Sequence, residues 1–251
     1  MENSEFTIRR ASAESDSEEM RSLPQYYRPL TPVSSPEMPF KVIGHPLREC
    51  NSDFIQERFL NTFNFSKLIT NQTFPGLTIG ITSANQGEGK TLVACNMAVS
   101  LVRAYRKPTV IIDMNFEQPK IHEVFGSELT PGLAEIFQHN TVYLTQSRTE
   151  QLYVIPVGDV QKYKPGIQDT LVLRDLINTL KNEFDFIIVD MRSVFPAENF
   201  PVHFVNELDG LIAVVNQKTT KRKHLENLYK RIDQRRFFGY VFNKVEKGHQ
   251  S

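Results

Sequence analysis

The chain of 251 residues has no tryptophan and 2 cysteines, Cys50 and Cys95. So few thiols exclude a disulfide scaffold and fit a reducing compartment. A bridge between them is disfavoured because Cys95 falls inside a helical pattern. No apolar run approaches the roughly 18 residues that a membrane-spanning helix needs. The opening MENSEFTIRRASAESDSEEM lacks the apolar core of a secretory signal. Net charge is missing too: 29 Lys and Arg balance 29 Asp and Glu, so nothing draws the whole chain to nucleic acid or an anionic membrane. The 6 His show no metal-ligand spacing, His122 reading as a packing or loop residue, and no internal repeat is visible. The expectation is a cytoplasmic protein: one sizeable globular domain plus some unpacked chain.

Residues 1–45 form the unpacked part, an acidic, Ser-rich patch running into the proline-studded LPQYYRPLTPVSSPEMPF. Such a stretch reads as a disordered tether or docking segment, with Tyr26 and Tyr27 open to modification. Residues 46–251 carry the domain. A helix is expected over 51–68, from apolar residues at 55, 59, 60 and 63. Short β-rich runs then appear at 77–82, 109–113, 152–156, 184–190, 210–216 and 237–243. Helical patterns fall between them at 91–106, 169–183 and 219–234. Continuous apolar strands alternating with helices predict an α/β class, a doubly wound, mostly parallel sheet with helices on both faces. With 18 Phe and no Trp, the core is expected to be filled by Phe.

The most informative stretch is GITSANQGEGKTLVACNMAVS, residues 80–100, an apolar strand, a glycine turn and a helix in that order. Free N–H groups and the dipole at a helix start favour an anion, and Gly87 and Gly89 let backbone wrap closely around oxygen atoms. Lys90 supplies a positive charge for β/γ-phosphates, and the Thr91 hydroxyl suits Mg²⁺. With Glu88 and Leu92 these residues make a P-loop for ATP, although Ala84 stands where the strict G-x-x-x-x-G-K-[ST] pattern has its first Gly. A glycine turn capping an ordinary helix is the plainer alternative, and the flanking strand and amphipathic helix argue against it. Two strands end in acid, TVIID at Asp113 and FDFIIVD at Asp190, which places two carboxylates at the sheet edge beside the loop. Asp190 is expected to act through the metal or its water. Asp113 is expected to serve as base or second metal ligand toward an attacking hydroxyl.

With the loop and both acids in view, residues 45–247 resemble the bacterial tyrosine kinases of polysaccharide export and chain-length control, relatives of the partitioning and cell-division-site ATPases. TSANQGEGKT, VIIDMNFEQPKIHEVFG, PGLAEIF, FDFIIVD and GYVFNKV carry the resemblance. It implies a P-loop NTPase fold, ATP and Mg²⁺, autophosphorylation on tyrosine, and Asn243 at the position of an adenine contact. It also implies catalytic roles for Lys90, Asp113 and Asp190, with Thr91, Asp113 and Asp190 at the metal. The partner implied is the cytoplasmic part of a membrane polysaccharide co-polymerase on a separate chain, recruiting the protein to the inner membrane; a homo-oligomer is a further candidate. The departures are specific. The family's Asp-x-Asp-x-Arg is here Asp113-Met-Asn115-Phe-Glu117, losing one carboxylate and reversing one charge, which should weaken transition-state stabilisation. Met191, Arg192 and Ser193 replace a small hydroxyl residue and two prolines. A tyrosine-rich C-terminal tail and a Glu-x-x-Arg-x-x-Arg ring motif are not found. These losses keep a second function open, a catalytically impaired pseudokinase acting as a nucleotide switch.

A third function, a partitioning ATPase on DNA, rests on the basic stretch 218–236, with Lys218, Lys221, Arg222, Lys223, Lys230, Arg231, Arg235 and Arg236 against Glu226 and Asp233. A solvated helix face with basic stems lying over apolar surface is the preferred reading, so nucleic acid is not expected as a partner.

Overall fold

The computed structural model describes residues 76–195 and 200–243 in full and the backbone of 8–9 and 40–43. The expected 51–68 helix, Cys50, Tyr26 and Tyr27 lie outside the described residues. Strands are β1 (Ile8–Arg9), β2 (Phe40–Ile43), β3 (Leu77–Ser83), β4 (Thr109–Met114), β5 (Val142–Gln146), β6 (Leu152–Ile155), β7 (Phe186–Met191), β8 (Gly210–Asn216) and β9 (Phe237–Asn243). Helices are α1 (Lys90–Tyr105), α2 (Ile121–Phe125), α3 (Leu133–His139), α4 (Thr170–Lys181), α5 (Val202–Val205) and α6 (Arg222–Arg231). All six strands and three helices expected from the pattern within the described residues are present. The pattern did not show β5, α2 or α3, which are 5, 5 and 7 residues long, too short for a clear period.

One sheet runs in the order β1-β9-β8-β3-β7-β4-β6-β5-β2. Seven strands, β3 to β9, form its body, and only the β5–β6 pair within that body is antiparallel. Two short segments of the 1–45 stretch lie at its edges, β1 antiparallel to β9 and β2 parallel to β5.

Strands β4, β7 and β8 are buried at every position, as apolar strands covered on both faces must be. Alternation still sorts their side chains into two cores. Ile79, Ile81, Ile111, Ile188 and Ile212 face α1 and α2, meeting Val93, Met97, Leu101 and Phe125. Val110, Ile112, Ile187, Val189 and Leu211 face the other way, onto Leu133, Ile136, Leu173, Leu176 and Leu180 of α3 and α4. Ile, Val and Leu fill most of this core, with Phe125, Phe186 and Phe204 the largest fully buried rings. The Phe-filled core expected from composition is thus mainly aliphatic, because β-branched side chains suit the pleated surfaces that dominate it. Cys95 is a buried thiol on α1 and takes part in no disulfide among the described residues.

The connectivity decides where the chemistry sits. Strand β3 lies between β7 and β8, so the turn after it opens at the carboxyl edge of the sheet where the strand order reverses. In register, Asp113 on β4 pairs with Asp190 on β7, and Ile81 on β3 pairs with Asp190.

Candidate phosphate-binding site

The turn between β3 and α1 reaches its shape through two left-handed glycines, Gly87 at φ 77° and Gly89 at φ 96°. A Cβ at Gly89 would lie 2.2 Å from the Asn243 amide nitrogen, so that position tolerates no side chain. Asn243, the last residue of β9, donates to the Glu88 carbonyl at 3.0 Å and thereby ties the loop to the sheet. Gly89 caps α1 without any side-chain hydrogen bond, and the first helical N–H groups stay directed at the cleft.

Glu88 points inward. Its carboxylate, 1% exposed, accepts from the Asn85 N–H and the Asn85 side-chain amide, each at 2.9 Å, and from the Thr220 hydroxyl. What it offers a ligand is therefore backbone alone. The Asn85 amide nitrogen also meets Nδ1 of His224 on α6 at 3.0 Å. The loop is thus braced against the segment that begins the basic helix. Sequence reasoning missed this brace, because Asn85, Thr220 and His224 are brought together only by the β3–β8 pairing.

Lys90 opens α1 at 7% exposed, and burial lowers the pKa of its ammonium while Asp190 and Glu88 act to raise it. Beside it the Thr91 hydroxyl donates to Asp190 Oδ2 at 2.6 Å. Asp190 is fully buried, and its Oδ1 has no hydrogen-bond partner among the described residues. Burial first, then the Asp113 charge, raises the Asp190 pKa to about 7. Asp113 is equally buried but occupied differently. Oδ1 accepts the Asn115 N–H at 3.0 Å, and Oδ2 accepts those of Lys120 and Ile121 at 3.0 and 3.1 Å. Burial lifts its pKa to about 6 against the lowering pull of those bonds.

The departures from the kinase motif turn out to answer one another. Glu117 forms a forked ion pair with Arg192, Nη1 to Oε1 at 2.7 Å and Nη2 to Oε2 at 2.8 Å. The charge reversal at Glu117 is neutralised by a guanidinium arriving from β7, so it does not leave a bare acid at the phosphate loop. The signal was legible: a charge reversed after one acidic strand tip and a charge gained after the other. Asn115 folds back, its amide donating to the Gln118 carbonyl at 3.0 Å. A cleft of ≈ 400 Å³ opens over the loop, lined among others by Gly87, Gly89, Lys90, Thr91, Leu92, Glu117, Lys120, Arg192 and Asn243. Asp113 and Asp190 lie beneath its floor. Of the sequence-predicted residues, Gly87, Gly89, Lys90, Thr91, Leu92 and Asn243 line the cleft, Asp190 meets it through Thr91, and Glu88 and Asp113 do not line it.

This arrangement fits a hydrated divalent cation. It supplies one hydroxyl and one carboxylate with an unsatisfied oxygen, and no group of three or more His, Cys, Asp or Glu able to hold a metal exists among the described residues. Mg²⁺ takes few protein ligands and completes its shell with water and phosphate oxygens, so such a sparse set suits it.

No protein-family model matches the chain. A tyrosine-protein kinase CpsD of Streptococcus agalactiae serotype III is 27% identical over 192 residues, 73% of this chain and 82% of that protein. CpsD of Streptococcus pneumoniae is 29% identical over 192 residues, 72% and 83%. The chain is a relative of the bacterial tyrosine-protein kinases. A succinoglycan biosynthesis transport protein, ExoP of Rhizobium meliloti, matches at 25% identity over 77% of this chain but only 26% of its own length. Among solved structures, the kinase domain of the Escherichia coli tyrosine kinase ETK superposes with a TM-score of 0.61 at 17% identity, over 74% of this chain and 75% of that one. The septum site-determining protein MinD of Pyrococcus horikoshii, solved with Mg-ADP, gives 0.53 at 19%, over 66% and 69%. The fold is that of the MinD and ParA P-loop NTPases, as the sequence predicts.

Proposed function

We propose that the chain binds ATP with Mg²⁺ in the loop cleft and phosphorylates tyrosine, as its relatives' names describe for them. The observation that carries this reading is the Thr91–Asp190 contact at 2.6 Å, with a spare Asp190 oxygen behind it and Lys90 alongside. The loop amides and Lys90 hold the phosphates, Thr91 and Asp190 hold the metal, and Asn243 closes the far wall of the cleft. ATP supplies the transferable phosphoryl group, and the metal neutralises charge on it. Asp113, with Oδ1 accepting one N–H rather than two, is the carboxylate assigned to the tyrosine proton. ExoP joins a domain matching this chain to a far longer transport protein, which supports a membrane polysaccharide co-polymerase as the partner and a place at the cytoplasmic face of the membrane. Among the described residues no helix is long and apolar enough to cross a membrane.

A second reading, a nucleotide switch without phosphoryl transfer, is favoured by Asp113 itself, which is spent on three backbone N–H groups. One experiment separates the two. The purified chain, with and without the cytoplasmic end of a candidate co-polymerase, is incubated with labelled ATP and Mg²⁺ beside Lys90→Ala. Phosphotyrosine on the wild type alone is expected. Nucleotide binding with no transfer under either condition removes the kinase reading and leaves the switch. Absence of binding removes both.

A further inference from the structure

A tyrosine kinase needs a hydroxyl that can leave its place, and the fold narrows where this chain offers one. Of the 8 tyrosines, all but Tyr26 and Tyr27 lie among the described residues. Tyr105 ends α1, Tyr143, Tyr153 and Tyr240 sit on β5, β6 and β9, and Tyr229 sits on α6. Tyr153 packs on Phe184, and Tyr229 and Tyr240 both pack on Phe237. Drawing any of these out would strip backbone hydrogen bonds from a helix or a strand ladder. Tyr163 differs, because it stands on the loop from β6 to α4. A loop can present a side chain without dismantling the sheet. Strand β6 runs parallel to β4, so this loop leaves the sheet at the same carboxyl edge as the phosphate cleft. The Tyr163 hydroxyl donates to Asp169 Oδ1 at 2.5 Å. Asp169, 3% exposed, also accepts the Gly166 N–H at 2.7 Å and the Gln168 amide at 3.2 Å, closing the 3₁₀ turn Ile167–Asp169 that leads into α4. The bond to Asp169, then burial, raises the Tyr163 pKa above the ordinary phenol value of 10.

We propose that Tyr163 is a phosphate acceptor of this chain and that Asp169 is the latch that holds its hydroxyl until transfer. This rests on the kinase reading above and names its substrate. In the step, the phenolic oxygen of Tyr163 bonds to the terminal phosphorus of ATP as the bond from that phosphorus to the β,γ-bridging oxygen breaks. The phenol proton passes to a carboxylate, Asp113 in that reading, and the products are ADP and phosphotyrosine. The bond to Asp169 opens first, and after transfer it cannot re-form. A phosphotyrosine carries about two negative charges and has no phenol proton to donate, so it and the buried Asp169 repel each other. The modified loop stays unlatched, and Lys162 and Lys164, on either side of Tyr163 in the chain, offer cations to the new phosphate.

The test is to incubate the full chain with labelled ATP and Mg²⁺ and to map phosphotyrosine by peptide mass spectrometry. Phosphate is expected on Tyr163. Tyr163→Phe, which keeps the ring against the core, is expected to lose that signal while nucleotide binding by calorimetry stays unchanged. The double variant Tyr26→Phe, Tyr27→Phe is expected to keep it. Asp169→Asn, which replaces a charged acceptor by a weaker neutral one, is expected to speed transfer to Tyr163 about threefold. Should Asp169→Asn prove too unstable, its melting curve will show it, and the wild-type map with Tyr163→Phe then decides. Phosphotyrosine at other positions with Tyr163 unmodified, or transfer no faster in a folded Asp169→Asn, overturns the proposal while the kinase reading stands. Nucleotide binding with no phosphotyrosine anywhere removes the kinase reading and this inference with it.

Discussion

Asp113 and Asp190 are the same residue at paired positions of neighbouring parallel strands, both wholly buried, yet the backbone around them gives them opposite tasks. After β4 the chain turns back through 115–121 and directs three N–H groups at Asp113, so its charge is consumed in holding that turn. After β7 no described residue directs an N–H group at the second Asp190 oxygen, which stays without a partner among the described residues while the first accepts from Thr91. Burial and register alone therefore do not settle how many of a carboxylate's lone pairs are left for a ligand. The course of the chain after the strand does.

The sharpest way to break this comparison is to neutralise each acid in turn. Asp190→Asn is expected to lower Mg²⁺-supported nucleotide affinity about a hundredfold while leaving the fold intact, since Asn still accepts from Thr91 and the buried charge is gone. Calorimetry with and without Mg²⁺ measures it; equal magnesium dependence in variant and wild type would place the metal elsewhere. Asp113→Asn should do the reverse, costing about 2–4 kcal/mol of stability because a carboxamide cannot accept all three N–H groups without turning its own NH₂ toward one. Denaturant unfolding reads this, and a loss no larger than that of Asp190→Asn erases the distinction.

A smaller effect should appear in pH. Burial raises Asp190 to about 7 and Asp113 to about 6, above the ordinary aspartate value of 3.8. A folded state that holds protons more tightly than the unfolded chain is most favoured at low pH and loses that advantage as pH rises through the folded value. Free of metal and nucleotide, the wild type should fall behind Asp190→Asn in melting temperature by a few degrees as pH goes from about 5 to 8. His122 and His203, whose pKa values burial lowers, act in the opposite direction in both proteins and cancel in the difference. A gap that stays constant with pH contradicts a buried, unmatched Asp190.

The basic stretch 218–236 shows a different limit of pattern reading. On α6 only Leu228 is buried, Arg222 pairs with Glu226, and the Arg231 guanidinium lies 5.7 Å from the Phe195 ring centre. That is the solvated face expected from the sequence, with stems lying over apolar surface. Yet His224, at the start of the same helix, reaches the phosphate loop through Asn85, a contact no spacing announces.

By itself the sequence determined the six long strands, the main helices, the phosphate loop and the two acidic strand ends, because periodicity, glycine placement and apolar runs are local and written in neighbouring residues. Only the tertiary structure decided which aspartate is free, that Glu117 and Arg192 cancel each other's charge, and that Glu88 faces inward to Thr220. Those outcomes depend on strand order and on where a turn directs its N–H groups, and they join residues 75 to 132 positions apart. Hydrogen bonds and ion pairs at that separation form only once the sheet has assembled, so no window along the chain contains them.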